Sequence, residues 1–537
     1  MFKIAILVGI YSYIIFALGL LGILYPNVIL VITFVFLMAI TIPKREEILK
    51  TIKAVKIKNF IFKEKLPTVL FFLFLLQALI NLIGALGPEL AFDALWYHLT
   101  LPKLYLINHA VIHIPGGLLY YSGMPKLTEM FYTVALAFNN ELLAKVIHFT
   151  FGVLSCLAIY KLSRKFFDQK LSLITTVIFY SNLVVAWQST TSYVDLARTF
   201  FEIMALWGFI NWWEKKKLKW LIESAVMMGL AISVKLLAFG SLFIFLVLIL
   251  LSAKTYKKPL KNLPLYLFTY FSICLLIPLP WFAFSFVNTG NPIYPIFTDV
   301  YRVNFDINLL NPLQFIADIW NLFTHSADPI SPLYVIFLPL VIIFFNKFNS
   351  KIKLVVFYSL LALIVWYITP RTGGGRFILS YLPAFSIVAG AVIQMVNKIE
   401  KIRTMLVGLV ILVSLVSIIY RGVANAKYLP VILGYETKSQ FLTNHLNFSF
   451  GDFYDTDNYF KNHIAQNDRV LLYGFQNLYY IDFPFIDSSW VKKGDAFNYI
   501  AVQNTELPKR FWYWDLVYQN KKTHVKLYSL GGQKWVY

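Results

Sequence analysis

Two adjoining stretches decide the fold: the apolar run LPTVLFFLFLLQALINLIGAL, residues 66–86, and the polar segment GPELAFDALWYH, residues 87–98. The apolar run is long enough to cross a bilayer, which takes about 20 residues. The following segment, continuing to Lys126, is too polar and too rich in proline and glycine to lie in the membrane. The pattern therefore predicts a membrane helix whose end carries two carboxylates, a tyrosine and a histidine.

The spacing of those polar residues is informative. Glu89 and Asp93 are four residues apart, as are Asp93 and Tyr97, so in a helix each pair shares one face. Carboxylates near a bilayer are costly unless they are solvated or used. The polar residues after the apolar run are therefore either the solvated start of a loop or part of a functional site.

The composition is that of a polytopic helical membrane protein. Of the 537 residues, 59% are hydrophobic and only 14% are charged, against about 45–50% and 25% in soluble domains. The formal charge of +21 comes from basic residues in short loops between apolar runs, which orient a membrane protein, so we exclude a nucleic-acid partner. Cys156 and Cys274 lie in apolar runs and form neither a disulfide framework nor a metal-ligand spacing.

Apolar runs predict about thirteen membrane spans. The first is interpreted as a retained span because no small-residue cleavage site follows it. Residues 128–138 are interpreted as a short interfacial helix, and the pair over 219–253 as possible broken or tilted spans. The predicted spans are residues 3–24, 28–43, 67–87, 140–160, 171–188, 196–213, 219–235, 237–253, 263–286, 331–346, 354–370, 377–397 and 404–420.

The loops alternate in charge, which predicts the orientation. The basic set comprises residues 44–66, 161–170, 214–218, 254–262, 347–353 and 398–403, and the opposite set includes residues 88–139, 189–195, 287–330 and 371–376. The positive-inside rule places the basic set in the cytoplasm. We therefore predict a multi-pass protein of the plasma or inner membrane, with a cytoplasmic N-terminus and an external C-terminus.

Two domains are predicted. Residues 1–420 form an all-α transmembrane domain with large external loops at 88–139 and 287–330, and residues 421–537 form a small extracytoplasmic α/β domain. In the second domain, residues 456–466 are predicted as a helix and residues 468–474 as a buried strand closed by Gly474. Residues 525–537 alternate around two glycines and are predicted as a hairpin.

Three further external positions carry candidate site residues. Asp195 stands at the start of a span, where an acid either caps the helix or points into a cavity. Lys235 lies near the external end of a span, where it either extends to the interface or binds a lipid phosphate. Arg371 and Arg376 flank three glycines; this is either a tight turn or a phosphate site that allows close backbone approach, and it is not a Walker A loop.

The remaining candidates are weaker. Tyr294 lies in a turn-rich segment at a helix exit, which turn chemistry alone explains equally well. His325 and Asp328 are metal ligands by residue type only, so no metal ligands are assigned, no cofactor is identified and a divalent metal is left open.

The segment FDALWYHLTLPK, residues 92–103, resembles the first external loop of GT-C fold glycosyltransferases. It is most similar to the RgtA/B/C/D-like polyprenyl-phosphate-dependent membrane enzymes, and more distantly to aminoarabinose transferases and protein O-mannosyltransferases. Three segments match in order, YVDLA at 193–197, TGNPIYP at 289–295 and RFILSYLP at 376–383, as does GYETK at 434–438. Two features depart from the pattern: Asp93 is followed by Ala94 rather than a second acid, and two spans precede the loop.

The resemblance implies an inverting transfer of a sugar from a polyprenyl-phosphate donor to a lipid, cell-envelope glycan or protein at the external face. It implies that Asp93 is the essential acid and Asp195 a second acid near the site. The chemistry agrees, because one carboxylate can take the proton of an acceptor hydroxyl, and cations can neutralise the departing phosphate. One base with a phosphate leaving group favours inversion, whereas retention needs a second carboxylate as nucleophile.

The site residues predicted on these grounds fall into two groups. The catalytic candidates are Asp93, Asp195 and Glu89, and the substrate-binding candidates are Tyr97, His98, Lys103, Lys235, Arg371, Arg376 and Tyr294. The alternative class is a lipid or polysaccharide transporter or flippase, which would show repeated halves that this sequence lacks. The sugar and the acceptor stay open.

Overall fold

The computed structural model describes residues 1–45, 64–255, 262–302, 311–326, 328–369, 374–396 and 399–537. Up to residue 426 these residues are almost entirely helical, because apolar stretches of this length satisfy their backbone hydrogen bonds internally. The helices are α1 (Phe2–Leu20), α2 (Pro26–Thr41), α3 (Lys65–Ala85), α4 (Thr100–Ile107), α5 (Leu127–Ala137), α6 (Glu141–Ser163), α7 (Gln169–Tyr180), α8 (Leu183–Gln188), α9 (Asp195–Lys215), α10 (Leu218–Val234), α11 (Ala238–Thr255), α12 (Leu263–Leu276), α13 (Leu279–Thr289), α14 (Pro312–Thr324), α15 (Leu333–Phe344), α16 (Ser350–Ile368), α17 (Leu382–Met395) and α18 (Glu400–Ala426).

The helices confirm a multi-span membrane protein. Within the described residues, five helices are long and apolar enough to cross a bilayer by themselves: α1, α3, α6, α16 and α18. Helices α12 and α13 form a sixth candidate span that bends by 58° where Pro278 interrupts the hydrogen-bond ladder. A helix lies at each predicted span, but most of the others are shorter, so the count of about thirteen stays a prediction.

Helix α9 lies at the centre of the bundle. It packs against α6 and α10, and most of its residues are buried. Gly208 allows the close approach to α10, because a Cβ atom there would lie 2.9 Å from the backbone nitrogen of Ser224. Asp195 is the first residue of this helix. The acid is therefore held by one of the most enclosed elements of the protein.

The interfacial position predicted for residues 128–138 stays a prediction. The segment does form a helix, α5, but that helix packs against α1, α4 and α6, and most of its residues are buried. Its polar residues Thr128, Glu129 and Thr133 are enclosed as well. The apolar pattern could not reveal this, because the segment is enclosed by its packing against α1, α4 and α6.

The C-terminal part is a small mixed domain of short helices and strands. The elements are α19 (Leu429–Ile432), α20 (Lys438–His445), α21 (Tyr459–His463), β1 (Val470–Tyr473), β2 (Phe485–Asp487), β3 (Ala496–Phe497), β4 (Tyr499–Gln503), β5 (Asp515–Asn520), β6 (Val525–Ser529) and β7 (Trp535–Val536). The predicted strand forms as β1, and Gly474 ends it in the left-handed region, with φ +78°. A five-stranded sheet has the order β2-β1-β4-β6-β5, with β1 parallel to both of its neighbours, and β3 pairs with β7.

Two details of the predicted domain differ from the structure. The hairpin over 525–537 is wrong, because β6 pairs with β4 and β5, whereas β7 crosses to β3. The helix predicted over 456–466 is reduced to Tyr459–His463. Helix α18 also continues through residue 421 to Ala426, and Arg421 is buried within it.

Candidate active site

The loop that follows α3 is held in place by hydrogen bonds at its start and at Glu89, its first acidic residue. The ammonium of Lys145, on α6, donates to the carbonyl oxygens of Gly84, Gly87 and Pro88 at 2.9, 2.7 and 3.2 Å. Glu89 is buried, and its Oε1 accepts hydrogen bonds from the next two backbone N–H groups. Its Oε2 accepts from the N–H of Ser192 at 2.6 Å. Oε1 of Glu89 therefore fixes its own loop, and Oε2 joins that loop to the one before α9.

Asp93 projects from this braced loop towards an arginine. Its Oδ2 accepts hydrogen bonds from Arg376 Nη2 at 2.7 Å and from the Tyr97 hydroxyl at 3.2 Å. Its backbone N–H donates to the Tyr193 hydroxyl at 3.2 Å. The shared face predicted from the spacing of Asp93 and Tyr97 is confirmed by this contact. Burial, followed by the charge of Asp93, raises the pKa of Tyr97 well above its usual value, so Tyr97 is a proton donor to Asp93.

Asp195 binds cations and does not cap its helix. No side-chain capping bond forms at the start of α9; instead, Oδ1 accepts from Lys235 Nζ at 2.7 Å and Oδ2 lies 3.6 Å from Arg376 Nε. The capping alternative is therefore wrong. Lys235 follows the last residue of α10, and its ammonium points inward to Asp195, so the alternative of an extended interfacial lysine is also wrong.

Arg376 joins the two acids into one cluster. Its guanidinium contacts both Asp93 and Asp195 and lies over the ring of Tyr193, with 4.8 Å from Cζ to the ring centroid. Its side chain is only 14% exposed. The preceding glycine turn permits this placement, because a Cβ atom at Gly375 would lie 2.0 Å from the carbonyl oxygen of Asp328. Arg371 lies outside the described residues, so its predicted role stays a prediction.

A second, fully buried group of charges lies behind Tyr97. His98 Nδ1 is 2.9 Å from Glu129 Oε1, and Lys126 Nζ is 3.7 Å from the same oxygen. The Lys126 ammonium also faces the rings of Tyr97 and Tyr121, each at 5.9 Å. Burial lowers the pKa of His98 and of Lys126, and the charge of Glu129 opposes both shifts.

We call Asp93, Asp195, Lys235 and Arg376 the ion-pair cluster. Its two acids and two bases balance, and Glu129 and Lys126 behind it balance as well. Such a cluster is stable at rest because every buried charge has a partner. An added anion must therefore compete for cations that are already bound to carboxylates.

The other predicted residues lie elsewhere or serve different contacts. Lys103 binds the C-terminal domain: Nζ donates to the carbonyl oxygens of Tyr479 and Ile481 and to Asp482. Tyr294 lies against Gly123 and the His113 ring.

The residues left open as metal ligands do not assemble a site. Burial raises the pKa of Asp328, and His325 has the neighbouring Thr324 hydroxyl as its partner. Within the described ranges, no group of three or more His, Cys, Asp or Glu side chains is placed to hold a metal ion. The donors of the described residues therefore do not assemble a metal site, and the proposed mechanism uses side chains alone.

Several polar residues of the site were missed by the sequence analysis. Lys126 and Glu129 were overlooked although an acid three residues after a lysine, at the start of an apolar helix, is a recognisable charge pair. His148 fixes the loop before α9, because its Nδ1 lies 2.9 Å from the Thr191 carbonyl oxygen and its Nε2 accepts from the Leu196 N–H. Lys145 and His148 lie within a predicted membrane span. An ionisable residue in a span is a candidate functional residue for that reason alone, so the sequence did carry a signal for both.

Comparisons with known proteins agree with this fold. Residues 127–283 match the family described as dolichyl-phosphate-mannose-protein mannosyltransferase. ArnT from Cupriavidus metallidurans in the apo state aligns with a TM-score of 0.57 and 11% identity, covering 85% of this chain and 97% of that chain. The same protein bound to undecaprenyl phosphate aligns with a TM-score of 0.52 and 13% identity over the same shares.

Two further findings complete the comparison. An oligosaccharyltransferase from Archaeoglobus fulgidus aligns with a TM-score of 0.45 and 13% identity, covering 78% of this chain and 64% of that chain. No curated protein matches the chain in sequence. The family match over 127–283 and the ArnT-like fold confirm the resemblance drawn from the sequence: the chain has an ArnT-like fold and is similar to membrane glycosyltransferases that use a lipid-phosphate sugar donor.

Proposed function

We propose that this enzyme transfers a sugar from a polyprenyl-phosphate-linked donor to a hydroxyl of a lipid, cell-envelope glycan or protein at the external membrane face. The observation that carries the proposal is the ion-pair cluster, in which Arg376 contacts both Asp93 and Asp195 and Lys235 contacts Asp195. The match to a family named for a lipid-phosphate sugar, and an ArnT structure bound to undecaprenyl phosphate, support the donor class.

Asp93 is the proposed general base. The acceptor hydroxyl gives its proton to Asp93 while its oxygen attacks the anomeric carbon, and a positioned base of this kind contributes roughly 10²–10⁴-fold. Tyr97 and Arg376 hold one oxygen of Asp93, and no partner of Oδ1 is found within the described parts of the chain. That oxygen is the one we assign to the acceptor.

Lys235 and Arg376 are the proposed phosphate ligands. As the bond between the anomeric carbon and the phosphate oxygen breaks, the polyprenyl phosphate gains a negative charge, which these two cations stabilise. In the resting structure both cations are bound to carboxylates. The donor phosphate therefore has to displace Asp93 from Arg376, and this displacement releases the base when the donor is in place.

The same contacts support the proposal of an inverting transfer. A retaining mechanism needs a second carboxylate that is free to attack the sugar. Asp195 is the nearest candidate, but one of its oxygens is bound by Lys235 and the other faces Arg376. We therefore assign Asp195 to orienting the cations.

An apolar groove of about 360 Å³ lies between α1 and α10 and is lined by residues such as Ile10, Tyr13 and Leu230. The Tyr13 hydroxyl bonds with Ser233, two residues before Lys235. A polyprenyl chain in such a groove gains about 0.8 kcal/mol for each buried CH₂ group. The groove therefore supports a donor whose phosphate is at the ion-pair cluster and whose chain lies in the membrane.

The test compares lipid-linked and nucleotide-linked forms of the same sugars. Purified enzyme in detergent is incubated with each donor, and the release of polyprenyl phosphate or nucleotide is followed. We expect release from at least one polyprenyl-phosphate sugar and none from any nucleotide sugar. Turnover of a nucleotide donor, without turnover of any lipid donor, would refute the proposed donor class. Transport or flipping, the alternative drawn from the sequence, is disfavoured by the family match.

A further inference from the structure

The C-terminal domain contacts the loop that carries Asp93 along most of its length. Tyr480 is buried, and its hydroxyl donates to the carbonyl oxygen of Glu89 at 2.9 Å. Lys103, at the other end of the same segment, donates to the carbonyl oxygens of Tyr479 and Ile481 at 2.8 and 2.6 Å. Thus one short segment of the domain, residues 479–482, holds the loop on both sides of Asp93.

Apolar packing reinforces these bonds. Leu95 is buried in one cluster with Tyr428, Phe441 and Tyr480, and Leu90 packs against the same cluster. The Phe92 ring meets the Phe450 ring at a centroid distance of 5.2 Å, close to perpendicular. The residues on either side of Asp93 therefore face the C-terminal domain, whereas Asp93 itself faces Arg376.

Two further contacts extend the interface. Lys438 forms an ion pair with Glu141 at 3.0 Å and lies over the Tyr480 ring, which seats Tyr480 between the domain and the start of α6. At Gly116, an added Cβ atom would lie 1.9 Å from the carbonyl oxygen of Ser489. The approach of the two surfaces is therefore too close for any larger residue at that position.

We infer that the C-terminal domain is a clamp on the Asp93 loop, and that Tyr480 and Lys103 are positioning residues for the proposed transfer reaction. Neither residue contacts Asp93 directly. Tyr480 fixes the peptide group of Glu89, four residues before the base, and Lys103 fixes the helix that follows it. A loop released from the clamp would keep its chemistry but hold the carboxylate in the reactive geometry for less of the time, which lowers turnover more than donor binding.

The inference rests on the proposed function for its kinetic part only, so the experiment has two readouts. The first is hydrogen exchange of residues 86–103 in the full-length protein in lipid nanodiscs, which requires no substrate. The second is the kcat and donor KM for polyprenyl phosphate release. The variants are Tyr480→Phe and Lys103→Met, and the matched control is Tyr473→Phe, which removes a hydroxyl of the same domain that bonds with Arg510 away from the loop.

Tyr480→Phe removes the hydrogen bond of the hydroxyl to the Glu89 carbonyl oxygen and its longer bond, at 3.4 Å, to Glu141, and it leaves the ring in place. We expect roughly tenfold faster exchange over residues 86–95 and roughly tenfold lower kcat, with donor KM unchanged and no effect in the control. Lys103→Met should show the same pattern over residues 96–103, and it decides the matter if Tyr480→Phe does not fold.

Exchange indistinguishable from the Tyr473→Phe control in both variants would overturn the clamp, and faster exchange with kcat within twofold of the wild type would overturn the positioning role of Tyr480 and Lys103. If the wild-type protein released no polyprenyl phosphate from any lipid donor, the proposed function would fail. The exchange comparison would then still decide whether the domain clamps the loop.

Discussion

Replacing Asp93 by asparagine should change binding and turnover in opposite directions. The asparagine keeps the size of the side chain but cannot accept the proton, so we expect kcat to fall by roughly 10²–10⁴-fold. The same change removes the carboxylate that competes for Arg376, with which it now forms a 2.7 Å bond in a site where both side chains are about one-seventh exposed.

The size of the binding effect follows from that bond. A hydrogen bond between charged groups contributes about 1.5–3 kcal/mol, and only part of it becomes available to a phosphate. Since about 1.4 kcal/mol corresponds to a factor of ten, the Kd for polyprenyl phosphate should fall by about three- to tenfold. Tyr97 loses an ionised acceptor at the same time, which keeps the gain at the lower end of that range.

The assay uses purified protein in nanodiscs, with polyprenyl phosphate binding measured by native mass spectrometry and turnover by polyprenyl phosphate release. Asp299→Asn is the matched control, because Asp299 is an exposed acid that pairs with Arg302 outside the cluster. Turnover of the Asp93→Asn variant within threefold of wild type would remove Asp93 from the role of base. Weaker binding of polyprenyl phosphate would refute the competition for Arg376.

Three other predictions concern orientation, stability and pH. A single cysteine at Gly117 should react with an impermeant reagent in intact cells and one at Lys56 should not; the reverse pattern would invert the predicted topology. Glu202→Gln should destabilise the protein by about 3–5 kcal/mol, because the buried Arg198 loses its carboxylate partner and keeps only the Tyr381 hydroxyl. A double variant with apolar residues at both positions should recover most of that loss in thermal unfolding. Burial raises the pKa of Asp487 to about 6, so the free energy of unfolding falls as pH rises from about 4 to 6 and the buried carboxyl ionises. Asp487→Asn should therefore raise the melting temperature at pH 7.5 but not at pH 4. An equal rise at both pH values would contradict the burial argument.

The residue types of the site could be predicted from the sequence because they stand at the ends of apolar runs. Asp93, Asp195, Lys235 and Arg376 are charged residues at such ends, where a charge is expensive unless it is used. Their partners could not be predicted, because Asp93 and Arg376 are brought together across 283 positions by helix packing. The structural alternatives, a helix cap for Asp195 and an interfacial side chain for Lys235, considered each residue alone. In the structure the two residues form an ion pair.

The same limit explains the errors in the C-terminal domain. A strand, its closing glycine and the α/β composition follow from local pattern, as β1 and Gly474 show. Strand partners do not: β6 pairs with β4 and β5, although an alternating pattern and two glycines favoured a hairpin with β7. Lys103 was assigned to substrate for a similar reason, since its true partners lie 376 to 379 positions further on.

The most direct test of the whole account is a structure of the protein with bound polyprenyl phosphate. We predict that the phosphate lies within about 4 Å of Lys235 Nζ and of the Arg376 guanidinium, with the contact between Arg376 and Asp93 opened. A phosphate bound elsewhere, with Arg376 still on Asp93 and Lys235 still on Asp195, would contradict the account.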